Sequence, residues 1–151
     1  MKLSTQNIKS ILAVLVLTLA FTVSTNAQCT TVAKEGIKKL APFTHNGKLN
    51  TVTVILDEPS EIHLSVYRGL NYKFQIGSEA ALGKVTFRIL DEQKTEIYNS
   101  ATSKDPLSWI FFSNSSQNLI VEIYPAEKGK QGCAFLVVGI QQPKTNAVRT
   151  L

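Results

Sequence analysis

Residues 61–76, EIHLSVYRGLNYKFQI, decide how the chain reads. Ile62, Leu64 and Val66 occupy alternate positions, Arg68-Gly69 interrupts, and Tyr72, Phe74 and Ile76 then alternate with Asn71, Lys73 and Gln75. A side-chain period of two belongs to a strand with one apolar and one wet face, because successive Cβ atoms point to opposite sides of the pleat. Two such runs joined by a glycine-bearing turn predict antiparallel β structure.

The signature continues in both directions. Upstream, Val52, Val54 and Leu56 alternate, and Asp57-Glu58-Pro59-Ser60 reads as a turn. Downstream, residues 77–83 read as a loop, and Val85, Phe87 and Ile89 as a strand that Asp91-Glu92-Gln93-Lys94 turns back toward Ile97 and Tyr98. After a polar loop at 99–106, residues 107–112, 119–124 and 133–140 bring the set to about eight strands. A helical pattern stands at 31–41, where Ala33, Ile37, Leu40 and Ala41 share a stripe and Lys34, Glu35, Lys38 and Lys39 face the other way. Thr30 or Thr31 can cap its start and Pro42 ends it. Asn46-Gly47 then reads as a turn at which the period changes from helical to strand-like.

The predicted fold class is therefore all-β, an antiparallel jelly-roll-like β-sandwich of about eight strands with one short N-terminal helix. The domain spans 28–141, and 142–151 reads as a flexible C-terminal tail. An immunoglobulin arrangement fits less well, since Trp109 lies far beyond Cys29 and not shortly after it. The last three strands are apolar on both faces and need a cover, which the helix or a partner could supply. If Cys133 faces outward, Phe135 and Val137 lie with it under the helix, leaving Ala134, Leu136, Val138 and Ile140 for the core.

The first 27 residues read as a secretory signal peptide: Lys2 and Lys9, an apolar run at 11–23, then Ser24-Thr25-Asn26-Ala27 before the expected cut. A spanning helix needs roughly 20 apolar residues, which neither this run nor any later one supplies, so no membrane span is expected in the mature chain. Lipid attachment at Cys29 is not expected, because Gln28 stands where a small residue belongs and Asn26 where a leucine does. The expected location is periplasmic or extracellular. There, thiols oxidise, and Cys29 and Cys133, the two cysteines of the chain, are predicted to form a bridge. With 104 positions between them, the loop closure contributes about 4 to 5 kcal/mol in the chain-entropy model.

A chain of 151 residues builds one core, which excludes large multidomain enzymes. Its net charge of +5 falls to +3 without Lys2 and Lys9, and the basic residues cluster only at Lys34, Lys38 and Lys39. Nucleic acid is not an expected partner. Two cysteines with His45 and His63 lack the short spacings of a zinc site. No G-x-S-x-G elbow, H-E-x-x-H helix or phosphate-cradling loop occurs, so no catalytic residue, metal or cofactor is assigned, although two carboxylates could still meet in space. The candidate ligand face is His63, Ser65 and Tyr67, which share one side of their strand; aromatic and hydroxyl groups there suit a carbohydrate or a peptide. The alternative is that Tyr67 packs on a neighbouring strand.

Several of these segments carry a family likeness. Gly69-Leu-Asn-Tyr-Lys-Phe-Gln-Ile76, Val85-Thr-Phe-Arg-Ile-Leu-Asp91, the stretch from Trp109 to Ile123, and Gly132-Cys-Ala-Phe-Leu-Val-Val-Gly139 follow one another in an order that resembles the bacterial pre-peptidase C-terminal domain, over residues 61–140. The resemblance implies a jelly-roll-like sandwich serving as a non-catalytic accessory or binding module, in a family where some members bind polymers or use calcium. Asp57, Glu58 and Glu61 form a small acidic group, short of the roughly six to eight oxygens calcium takes. The function expected is thus an exported, non-catalytic binding or accessory module for an unknown protein or polysaccharide partner. The alternatives are a small secreted hydrolase or inhibitor, and an envelope-assembly subunit using an apolar sheet face.

Overall fold

The computed structural model describes residues 25–55 and 58–143, with side chains from Cys29 onward. Residues 1–24 of the expected leader, Leu56 and Asp57, and the expected tail from residue 144 lie outside the described residues. Helix α1 (Thr25–Lys38) precedes strands β1 (Thr44–Val54), β2 (Ser60–Val66), β3 (Asn71–Ser78), β4 (Val85–Leu90), β5 (Glu96–Asn99), β6 (Ser108–Phe112), β7 (Gln117–Pro125) and β8 (Gly132–Gln141). They form two antiparallel sheets, ordered β1-β8-β3-β6 and β2-β7-β4-β5. Of all chain-consecutive strands, only β4 and β5 are also neighbours in a sheet; every other connection crosses between the sheets, as in a jelly roll.

Between the sheets lies the main core. Phe74 of β3 and Phe87 of β4 are fully enclosed, with Tyr72, Ile76, Val121, Ile123 and Leu136 around them. Phe74 meets Phe111 and Trp109 edge-on at ring separations of 5.3 and 6.0 Å, within the range aromatic pairs favour. Tyr98 of the short edge strand β5 stacks on Trp109 at 4.9 Å and so ties the two sheets together at one side.

A second core lies outside the first sheet. Strand alternation turns Cys133, Phe135 and Val137 outward and Ala134, Leu136 and Val138 inward, and α1 lies over the outward set with Cys29, Ala33 and Leu40. The parity expected from Cys133 is the one found, and Cys29 is bridged to Cys133 with the two Cα atoms 5.7 Å apart. Close approach of helix to sheet depends on two glycines. A Cβ placed on Gly36 of α1 or on Gly77 of β3 would run into the Phe135 ring.

Three expectations are corrected. The helix was expected at 31–41; it begins six residues earlier and ends three earlier. Cys29 sits one turn before Ala33 on the same buried stripe, so the helix extends back through Thr30 and Thr31, which are interior residues and not caps. At the other end Pro42 excludes a helical Ala41, and Leu40 enters the second core from a tightened turn, its N–H donating to the Ile37 carbonyl at 3.1 Å. Asn46-Gly47 was expected to turn the chain, yet β1 runs straight through it. The partners jump from His45↔Gly139 to Leu49↔Val137, so the dipeptide forms a bulge, with Gly47 at φ 83°. Finally, of the three apolar late strands α1 covers only β8, packing also on β3 and β1. β7 belongs to the other sheet, and Ile110 and Phe112 of the edge strand β6 remain 58% and 47% exposed.

Candidate functional site

α1 packs on the outside of the β1-β8-β3-β6 sheet, and among the described residues the β4–β5 turn is what reaches over the outer face of β2-β7-β4-β5. The register brings outward-facing residues into rows. His63 of β2 lies across from Ile120 of β7, Ser65 from Asn118, and Glu61 from Glu122, which in turn pairs with Arg88 of β4.

One end of this face is a charged knot. Arg88 Nη2 donates to the nearly buried Glu122 carboxylate at 2.7 Å and also to the Tyr124 hydroxyl. Tyr124 donates to the same Glu122 oxygen at 2.5 Å, and the guanidinium lies over the Tyr124 ring, 5.0 Å from its centre. Glu96 of β5 adds a longer contact to Arg88 at 3.6 Å. Charge-assisted bonds that share atoms fix three side chains in one geometry, so this end of the face is pre-organised.

The rest of the face is held by the β4–β5 turn, which reaches Glu61 in the Arg88–Glu122 row and Asn118 farther along. Lys94 donates to Glu61 at 2.5 Å, His63 contacts the other Glu61 oxygen at 3.1 Å, and Asn118 donates to Glu92 at 2.5 Å while accepting from Ser65 at 2.6 Å. Between them lies an open hollow of about 450 Å³, lined by His63, Ser65, Glu92, Asn118 and Ile120. Tyr67, one residue beyond β2, is 62% exposed at its end, and no ring of the described residues stacks on it. Its N–H donates to the Tyr72 hydroxyl at 2.8 Å, which anchors the backbone and leaves the ring free.

Electrostatics follow from these partners. The Lys94 hydrogen bond holds the Glu61 carboxyl below the usual carboxylate range, against the opposing effect of burial and with help from the Lys94 charge and from His63. Burial raises the Tyr124 phenol above its usual value, and donation to Glu122 reinforces the shift while Arg88 opposes it. A phenol whose pKa is higher folded than unfolded stabilises the fold below the unfolded value near 10. That contribution is lost as pH rises through the folded pKa. Unfolding free energy is therefore expected to fall with pH above about 10, and Tyr124→Phe should flatten that slope; denaturant unfolding across the alkaline range, with ultraviolet titration of tyrosinate, checks this. An unchanged slope in the variant would refute the assignment.

His63 is engaged with Glu61 and the Ser65 hydroxyl with Asn118, so these positions hold no imidazole-activated nucleophile. Among the described residues no cluster of three His, Cys, Asp or Glu side chains is placed to hold a metal, and Glu61 of the acidic group read from the sequence is bound to Lys94.

No family model matches the chain, and no curated protein sequence matches it. Among solved structures the chain is similar to the crystal structure of Aeromonas hydrophila PliG, a periplasmic lysozyme inhibitor of g-type lysozyme, at 16% identity and a TM-score of 0.48, covering 62% of this chain and 85% of that one.

The three residues singled out from the sequence do lie along one face, with Tyr67 at its margin. Arg88, Glu122 and Tyr124 were not singled out. The alternation of Glu122 and Tyr124 with Val121 and Ile123 was a visible signal of an outward polar pair, masked by the apolar run Leu119-Ile120-Val121 before it.

Proposed function

We propose that this chain is an exported, non-catalytic binding module whose ligand face is the outer surface of the β2-β7-β4-β5 sheet. The observation that carries the reading is the pairing of an exposed, unstacked Tyr67 with a polar surface already locked by its own hydrogen bonds. A rigid platform loses little entropy on binding, and an aromatic ring beside hydroxyl and amide groups recognises sugar rings and peptide backbones alike. Export is supported by the leader-like sequence and by a bridge of the kind that persists in oxidising compartments. The likeness to the pre-peptidase C-terminal domain supports an accessory role. Among the described residues no helix is long and apolar enough to cross a membrane.

The test compares immobilised protein with a His63→Ala, Tyr67→Ala double variant, each exposed to defined cell-surface polysaccharides and to exported proteins. Retention of one component that the double variant loses by about tenfold or more, while a Lys128→Ala control keeps it, supports the face. Equal retention by both, or none by either, refutes it. A second reading, an envelope-assembly subunit, is favoured by one observation: Ile110 and Phe112 stand exposed on the uncharged edge strand β6.

A further inference from the structure

Four strands stand at sheet edges, and three of them carry a device that keeps other strands away. β1 is interrupted by its bulge and carries Lys48, β2 presents Glu61 and His63, and β5 is only four residues long and holds Glu96. β6 has no such guard. Its sequence, Ser108-Trp-Ile-Phe-Phe112, contains no charge and no proline and pairs with β3 without a bulge, and no charged residue stands anywhere between Asp105 and Glu122.

Hydrogen-bond parity shows what this edge offers. The Leu107 carbonyl accepts from the Ile76 N–H at 2.9 Å and the Ser113 N–H donates to the Leu70 carbonyl at 3.0 Å, so the odd-numbered residues of the run turn their main-chain groups toward β3. Ile110 and Phe112 therefore point theirs to the open edge, where no described residue meets them. The same two residues expose their side chains on the outer face.

This pattern is its own complement. When a second β6 lies antiparallel about a two-fold axis at Phe111, Ile110 of each copy faces Phe112 of the other. Both open N–H groups and both open carbonyls of each strand are then bonded, and on the outer face each isoleucine meets a phenylalanine, an aromatic and β-branched pair of the kind that stabilises sheets. Charge does not oppose the approach. Lys73, across from Ile110, donates to the Lys39 carbonyl at 2.5 Å, on the side of α1. Its counterpart in the second copy is three strand spacings away, at least about 14 Å, which exceeds a Debye length of about 8 Å.

We propose that the protein forms a two-fold symmetric dimer through β6, which joins the β1-β8-β3-β6 sheets of two copies into one continuous sheet. The proposal rests on the assembly reading of β6 and not on the ligand face of β2-β7-β4-β5.

The experiment is sedimentation equilibrium of the purified, oxidised protein from about 1 μM to 1 mM, with amide hydrogen exchange at both ends of that range. One short strand pair is a small contact, so a reversible dimer in the micromolar range is expected, with the Ile110 and Phe112 amides protected only at high concentration. Ile110→Lys with Phe112→Lys should weaken the dimer by at least about tenfold. Ile110→Pro, which removes an outward N–H and leaves the bonds to β3 in place, should do the same. Ile55→Lys, at a comparably exposed isoleucine beyond the end of β1, should leave it unchanged. Circular dichroism and the thermal midpoint establish that each variant folds; should one of the β6 variants fail to fold, the other decides, and the exchange of the unaltered protein stands apart from both. A monomer at 1 mM overturns the self-pairing, whether residues 144–151 protect the β6 amides or another exported protein takes up the edge, and in the latter case the assembly reading survives without it. A dimer that ignores both β6 variants, or that leaves the Ile110 and Phe112 amides unprotected, overturns it as well.

Discussion

Replacing Cys29 and Cys133 together by serine is expected to lower the unfolding free energy by about 4 kcal/mol, against a total of roughly 5 to 15 for a domain of this size. The bridge closes a loop spanning 104 positions, nearly the whole of the described chain, and so restricts the unfolded ensemble more than a short bridge would. It also pins the start of α1 to β8 at the point where Cys29 enters the second core. Urea unfolding of the oxidised protein and of the double variant gives the difference directly. A loss below about 1 kcal/mol would mean that the unfolded state gains little freedom, contrary to the chain-entropy account. Hydrogen exchange adds a local readout: the amides of α1 should lose protection more than those of β3 and β7, because the helix has only one small apolar layer beneath it.

Phe74→Ala is expected to cost about 4 kcal/mol, since removal of a fully buried phenyl leaves a cavity that rigid neighbours cannot close. Those neighbours are unusually stiff here. Phe111 and Trp109 meet the Phe74 ring edge-on and stack on each other 4.0 Å apart, and Tyr72 stacks on Phe111 at 5.4 Å. Denaturant unfolding measures the loss, with near-ultraviolet circular dichroism reporting the aromatic cluster. A cost under about 2 kcal/mol would place Phe74 outside a close-packed centre. The expected loss exceeds that of truncating exposed Phe112, which leaves no cavity.

How much of this was legible from sequence depends on the range of the interaction involved. Tyr72, Phe74 and Ile76 alternate so regularly that strand and inward face follow from the chain alone, and the parity of β8 follows from Cys133. Asn46-Gly47 could not be resolved in the same way. A hairpin turn and a bulge both need a residue at positive φ, and the difference lies in pairing with Gly139 and Val137, residues from the far end of the chain. The helix start was hidden for a related reason: Cys29 reads as a cysteine to be bridged before it reads as the first buried position of a stripe. His63 and Ser65 were readable because they share one strand. Arg88, Glu122 and Tyr124 become a cluster only through the register of β4 with β7, which no local pattern contains.

The position of β8 has a consequence for the life history of the molecule. Among the described residues the last strand lies in the middle of its sheet, flanked by β1 on one side and the β3-β6 pair on the other, so β1 has no neighbour in that sheet until it arrives. Seven strands emerging from a ribosome cannot complete that sheet, and pairings between distant segments are slow to form in any case. Strand β1 and the β3-β6 pair therefore join into one sheet only after β8 has been made.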